Sequence, residues 1–95
     1  MNKIVDYKEY MDSGDKIYVS VIELRYKDGR VMPLSIIWEH RRLKIDKVLD
    51  ICNRASLKAG GVGLCYTITI GGQKKYLFLE EDGSGAKWFV ERKTS

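Results

Sequence analysis

From Lys16 onward the chain alternates short apolar runs with turn signals, and most apolar positions recur at period two, the spacing of strands with one buried face. The run Lys16 to Lys27 is rich in β-branched and aromatic residues and ends at Asp28-Gly29, a strong hairpin signal, so it predicts a strand. Its apolar phase changes midway. Ile17, Val19 and Val21 share one face, then Ile22, Leu24 and Tyr26 take the other, which predicts a β-bulge or a strand turning a barrel corner.

The return strand, Val31 to Trp38, sets Met32, Leu34, Ile36 and Trp38 on one face, which places Trp38 in the core. Pro33 cannot donate to a ladder, so this strand is expected at an edge, or Pro33 is expected to mark a bulge. After Glu39-His40, the segment Arg41 to Asp46 alternates Leu43 and Ile45 with charges and reads as its hairpin partner.

Ile45 to Ser56 carries two readings. Ile45, Val48, Leu49, Cys52 and Ala55 fit a helical spacing, whereas a strand bulged near Lys47-Val48 leaves Leu49 and Ile51 alternating with Asp50 and Cys52. The short connections on both sides favour the strand. Lys58 to Gly63 predicts a loop, Leu64, Tyr66, Ile68 and Ile70 one buried strand face, and Gly71-Gly72 a tight hairpin into the strand Lys74 to Glu80. A turn over 81–85 and a last strand, Lys87 to Glu91, complete about six strands. In residues 1–15, Ile4, Tyr7 and Met11 fit a helical face, while Val5 to Tyr7 fits the start of a strand.

An antiparallel meander of this length must manage its edges, and closure into a barrel is the usual solution. The expectation is therefore an all-β domain, residues 1–95, closing into a five- to six-stranded SH3-like or OB-like barrel. The alternative is an α+β domain with a helix at about 46–56. With 95 residues, a 44% hydrophobic content and one Pro, the chain has material for one core and no second domain.

Charge adds a location. The net charge is +4, and residues 41–58 hold six basic groups against two acidic ones, Asp46 and Asp50. Arg41, Arg42, Lys44 and Lys58 are the candidate contacts for nucleic acid or an acidic protein, because a basic patch raises the local concentration of phosphates and carboxylates. A solvated face that keeps the chain soluble is the plainer reading of the same residues.

The motif order Pro33-Leu-Ser-Ile-Ile-Trp38, Ile45-Asp-Lys-Val-Leu-Asp50, Ser56-Leu-Lys-Ala-Gly-Gly-Val-Gly63, Tyr66-Thr67 and Trp88-Phe-Val-Glu91 resembles a set of small uncharacterised bacterial proteins, chiefly of Firmicute type. The resemblance covers most of the chain from residue 30 onward. It implies a bacterial, cytoplasmic, stand-alone protein and carries over no catalytic residues.

Chemistry offers little. His40 is the only histidine, and Cys52 and Cys65 form no C-x-x-C pair, so no structural zinc set is expected. Behind Met1, with no basic-then-apolar leader, the two cysteines predict reduced thiols of a cytoplasmic protein. Gly60-Gly61-Val62-Gly63 lacks the Lys-Ser/Thr of a P-loop and precedes a strand rather than a helix. The acidic run Glu80, Glu81 and Asp82 falls at a hairpin end, and no apolar run approaches the roughly 20 residues that span a bilayer. The expectation is a cofactor-free binding module rather than an enzyme. It binds nucleic acid through the basic face or, alternatively, a protein through an exposed strand edge along Val31 to Ile37.

Overall fold

A computed structural model describes residues 15–55, 62–82 and 85–92. The expectations for residues 1–14, Lys58 and Gly60-Gly61 fall outside them. Seven strands follow one another: β1 (Asp15–Arg25), β2 (Val31–Trp38), β3 (Arg41–Lys44), β4 (Lys47–Ala55), β5 (Val62–Ile70), β6 (Gln73–Asp82) and β7 (Gly85–Arg92). They form one antiparallel sheet in the order β3-β2-β1-β7-β6-β5-β4, curled into a half-barrel. The all-β expectation holds. The barrel count does not: the described residues form seven strands and the barrel is open, because β3 and β4 remain as two margins.

The segment at 46–56 is decided for strand over its described residues. β4 pairs with β5 from Lys47 to Ala55, and no β5 residue opposes Leu49, so the bulge lies one residue past the expected position. The helical spacing is a by-product of that bulge, which resets the phase of the apolar residues.

The phase change in β1 also has a structural cause. Residues 15–19 of β1 pair with β7, and residues 20–25 pair with β2, so the strand turns the corner between two parts of the sheet. The β1–β2 register shifts at Ile22/Glu23, and the extra residue belongs to β2: Ser35 opposes Ile22, Pro33 opposes Glu23, and nothing opposes Leu34. Pro33 thus marks the bulge. β1 flanks β2 along Val31 to Ile37, but β3 flanks it only along Ser35 to Trp38, so the edge expected along Val31 to Ile37 narrows to its first residues on the β3 side. The bulge also explains why Val31 and Ile36, five residues apart, are both core while Leu34 is exposed.

The concave face holds the main core, Val31, Ile36, Ile45, Tyr66, Ile68, Leu77, Leu79 and Trp88. Burying a side chain of this size contributes about 1.5–3 kcal/mol, so these residues supply the bulk of the favourable term. A second cluster, Cys65, Phe78 and Phe89, lies on the opposite face, with the two Phe rings stacked at 5.2 Å.

Two residues hold the curl. In the connection from β3 to β4, the Ile45 N–H donates to the Leu34 carbonyl on β2 at 3.0 Å, and the Asp46 N–H donates to the Thr69 carbonyl on β5 at 2.8 Å. β1, β7 and β6 stand between β2 and β5, so this short segment spans the mouth of the half-barrel. Among the described residues, no helix is long and apolar enough to cross a membrane.

Candidate functional site

β3 carries its side chains alternately on opposite faces of the sheet. Leu43 packs against the core, and strand alternation then puts Arg41 on the face of Leu43 and turns Arg42 and Lys44 to the other. The ladder confirms the split: Arg41 opposes Trp38, Arg42 opposes Ile37, and Lys44 opposes Ser35. Arg42 donates from Nε to Ser35 Oγ at 3.2 Å, which satisfies the buried Ser35 hydroxyl. The four expected contacts therefore do not converge. Arg42 and Lys44 share a face with Ser35, Ile37 and exposed Ile22, with no aromatic ring in those ladder rows, Arg41 lies on the other face, and Lys58 lies outside the described residues.

The hairpin that presents Arg41 is strained. Trp38 pairs with Arg41, leaving Glu39 and His40 as a two-residue turn, and both have positive φ, 48° and 68°. A type I′ turn requires that conformation and is usually built from Asn-Gly, whereas side chains such as these seldom adopt it. The Gly71-Gly72 hairpin between Ile70 and Gln73 has the same sign of φ without the penalty.

A groove of about 590 Å³ opens where β6 and β7 diverge. Among the described residues, β7 pairs with β6 only through Phe89 and then continues along β1, while Gln73 to Leu77 of β6 pair with β5 alone. The gap is lined from the concave side by Val19, Ile36, Trp38, Leu43, Ile70 and Val90, and at its lips by Lys74, Lys75, Tyr76, Phe78 and Glu91. Two aromatic rings are accessible there: Trp38 is 37% exposed and Tyr76 is 53% exposed. Trp38 is thus not the core residue its phase predicted. It is the last residue of β2, beside the margin strand, where no further strand among the described residues covers it. Lys74, Lys75 and Tyr76 were not singled out from the sequence. The available signal was a pair of lysines and a tyrosine one residue after a Gly-Gly hairpin.

The other end of the half-barrel carries a connected polar set. Trp88 donates from Nε1 to Glu23 Oε1 at 2.7 Å, Arg25 Nε meets Glu23 Oε2 at 2.8 Å, and Arg25 Nη2 meets Glu81 Oε2 at 3.0 Å. Hydrogen bonds to Glu81 and Glu23 raise the Arg25 pKa above its ordinary value. These contacts lace β1 to β7 and β6 where β1 and β7 separate, beside a second opening of about 620 Å³. Tyr66 lies near this end, and burial, followed by the charges of Glu23 and Glu81, raises its pKa. The set is mutually satisfied and serves as structure.

Comparison with models of known families, with curated proteins and with solved structures finds no match.

Proposed function

We propose that the protein is a small cytoplasmic binding module and that the groove between β6 and β7 takes a single-stranded nucleic acid. The observation that carries this reading is the placement of two accessible rings, Trp38 and Tyr76, in one groove with Lys74 and Lys75. Single strands are held by bases stacking on aromatic faces while cationic side chains follow the phosphates, and this combination tolerates many sequences. Arg41, opposite Trp38 in the ladder, adds charge beside the ring, whereas Arg42 and Lys44 face away and contribute at most to long-range attraction.

The test is fluorescence anisotropy of labelled single-stranded DNA, RNA and duplex DNA from about 50 to about 200 mM salt. Neutralising about four phosphates gives a logarithmic slope of roughly −3 to −4, and affinity falls by on the order of 10² over that range. Single strands are expected to bind more tightly than duplex and to quench Trp38. An absence of binding to all three at the lowest salt overturns the reading.

A second reading rests on β4. It is a margin strand with Leu49 51% exposed and Ile51 44% exposed, a combination that favours strand addition by a protein partner. Association through this edge depends weakly on salt and is abolished by Leu49→Lys with Ile51→Lys, as measured by sedimentation or by co-purification.

A further inference from the structure

Cys52 on β4 stands directly opposite Cys65 on β5 in the antiparallel ladder, and both are present as thiols. Directly opposed residues of an antiparallel pair have Cα atoms about 4.5 to 5.5 Å apart, inside the range of about 4.4 to 6.8 Å that a disulfide requires. The register therefore places the two backbones within the reach of a disulfide. Access is asymmetric: Cys52 is exposed on a margin strand, whereas Cys65 is 3% exposed. A third group addresses the pair. Cys52 donates from Sγ to Asp50 Oδ2 at 3.0 Å, two residues along the same strand.

We propose that Cys52 and Cys65 form a reversible dithiol–disulfide pair that closes when the protein meets a low-molecular-weight disulfide of the glutathione type, tying the margin strand β4 to β5. In the first step the Cys52 thiolate attacks one sulfur of the oxidant. The oxidant's S–S bond breaks, a mixed disulfide forms on Cys52, and the first small thiolate leaves and takes up a proton. In the second step Cys65 loses its proton to solvent and its sulfur attacks Sγ of Cys52, displacing the second small thiolate, which is protonated in turn. Two protein thiols are oxidised, one small disulfide is reduced to two thiols, and no other electron acceptor is needed.

Cys52 is the entry point because it alone of the two is exposed, and Cys65 is the resolving thiol because the ladder already holds it opposite. Asp50 sets the pace. Its carboxylate accepts a hydrogen bond from the Cys52 thiol and disfavours a second negative charge beside it, which raises the Cys52 pKa and slows its attack on the oxidant at neutral pH. Closure links the two strands on either side of residues 56–61 and restrains β4 from separating from β5. That matters because β4 is held by one neighbour only among the described residues.

The full chain is incubated with excess oxidised glutathione at pH values from about 7 to about 9, quenched in acid, and read by intact mass and by peptide mapping without reduction. The wild type is expected to end about 2 Da lighter, with Cys52 joined to Cys65, to revert on adding dithiothreitol, and to react faster as pH rises. Cys65→Ser and Cys65→Ala are expected to stop at the mixed disulfide, about 305 Da heavier, and Cys52→Ser to react far more slowly than either. Asp50→Asn is expected to speed closure at neutral pH, a change that a merely structural carboxylate would not produce. A wild-type product that remains a glutathione adduct, or that is linked between two molecules, overturns the proposal.

Discussion

The Tyr66 hydroxyl on β5 donates its hydrogen to the main-chain carbonyl of Val31 on β2, and with β1, β7 and β6 between those strands the bond crosses the interior of the half-barrel. Both residues are buried, so neither group has water as a substitute. Tyr66→Phe keeps the ring and orphans the carbonyl. It is expected to lower the unfolding free energy by about 1–3 kcal/mol in urea titration, more than the loss of an exposed hydrogen bond.

The same tyrosine makes stability depend on alkaline pH. Its pKa is raised in the folded state, so the stabilisation is fully present below its ordinary value of 10.0 and is lost as pH rises through the higher folded value. Denaturation followed from pH 8 to 12 is therefore expected to show a steeper loss above pH 10 in the wild type than in Tyr66→Phe.

Glu23 and Arg25 are partners in one ion pair, yet their substitutions are expected to differ in cost. Arg25 lies at the surface, where water screens its ion pairs with Glu23 and Glu81, so Arg25→Ala should be mild. Glu23→Ala also strips the acceptor from the buried Trp88 indole, for a further cost of about 1–3 kcal/mol. Chemical denaturation of the two variants side by side reads the difference, and equal losses would show that the indole bond contributes little.

Replacing Glu39-His40 by Asn-Gly should stabilise the β2–β3 hairpin, because both positions have positive φ and the wild-type side chains resist it. The expected gain is roughly 0.5–1 kcal/mol, seen as a higher urea midpoint with an unchanged slope. A loss of stability would mean that the Glu39 or His40 side chain makes a contact worth more than the strain.

Two double substitutions locate the nucleic-acid surface. Lys74→Glu with Lys75→Glu should abolish binding and its salt dependence, while Arg42→Glu with Lys44→Glu should weaken it by about tenfold or less, through the overall field alone. The reverse ranking, measured by anisotropy at one salt concentration, would move the site from the groove to the face of Ile22, Ile37 and Arg42.

The alternation of Leu64, Tyr66, Ile68 and Ile70 and the turn signals at Asp28-Gly29 and Gly71-Gly72 made the all-β class and most hairpins readable from the chain, since period-two burial and positive-φ turns are local properties. The bulges were half legible. Pro33 announced one, and the phase break read near Lys47-Val48 announced another, one residue short of the skipped Leu49. The residue that is skipped depends on which strand lies opposite, and that is a non-local fact.

The sequence by itself determined that this chain makes tight antiparallel hairpins and concentrates positive charge between residues 41 and 58. Tertiary structure alone decided which strands β1 joins on either side of its corner, that β7 parts from β6 and leaves a groove, and that Trp38, Tyr76, Lys74 and Lys75 line it. The physical reason is curvature. In a flat sheet, phase assigns each side chain to a face, but in a curled sheet the strands diverge at their ends, and residues far apart in sequence share an opening that no periodicity records.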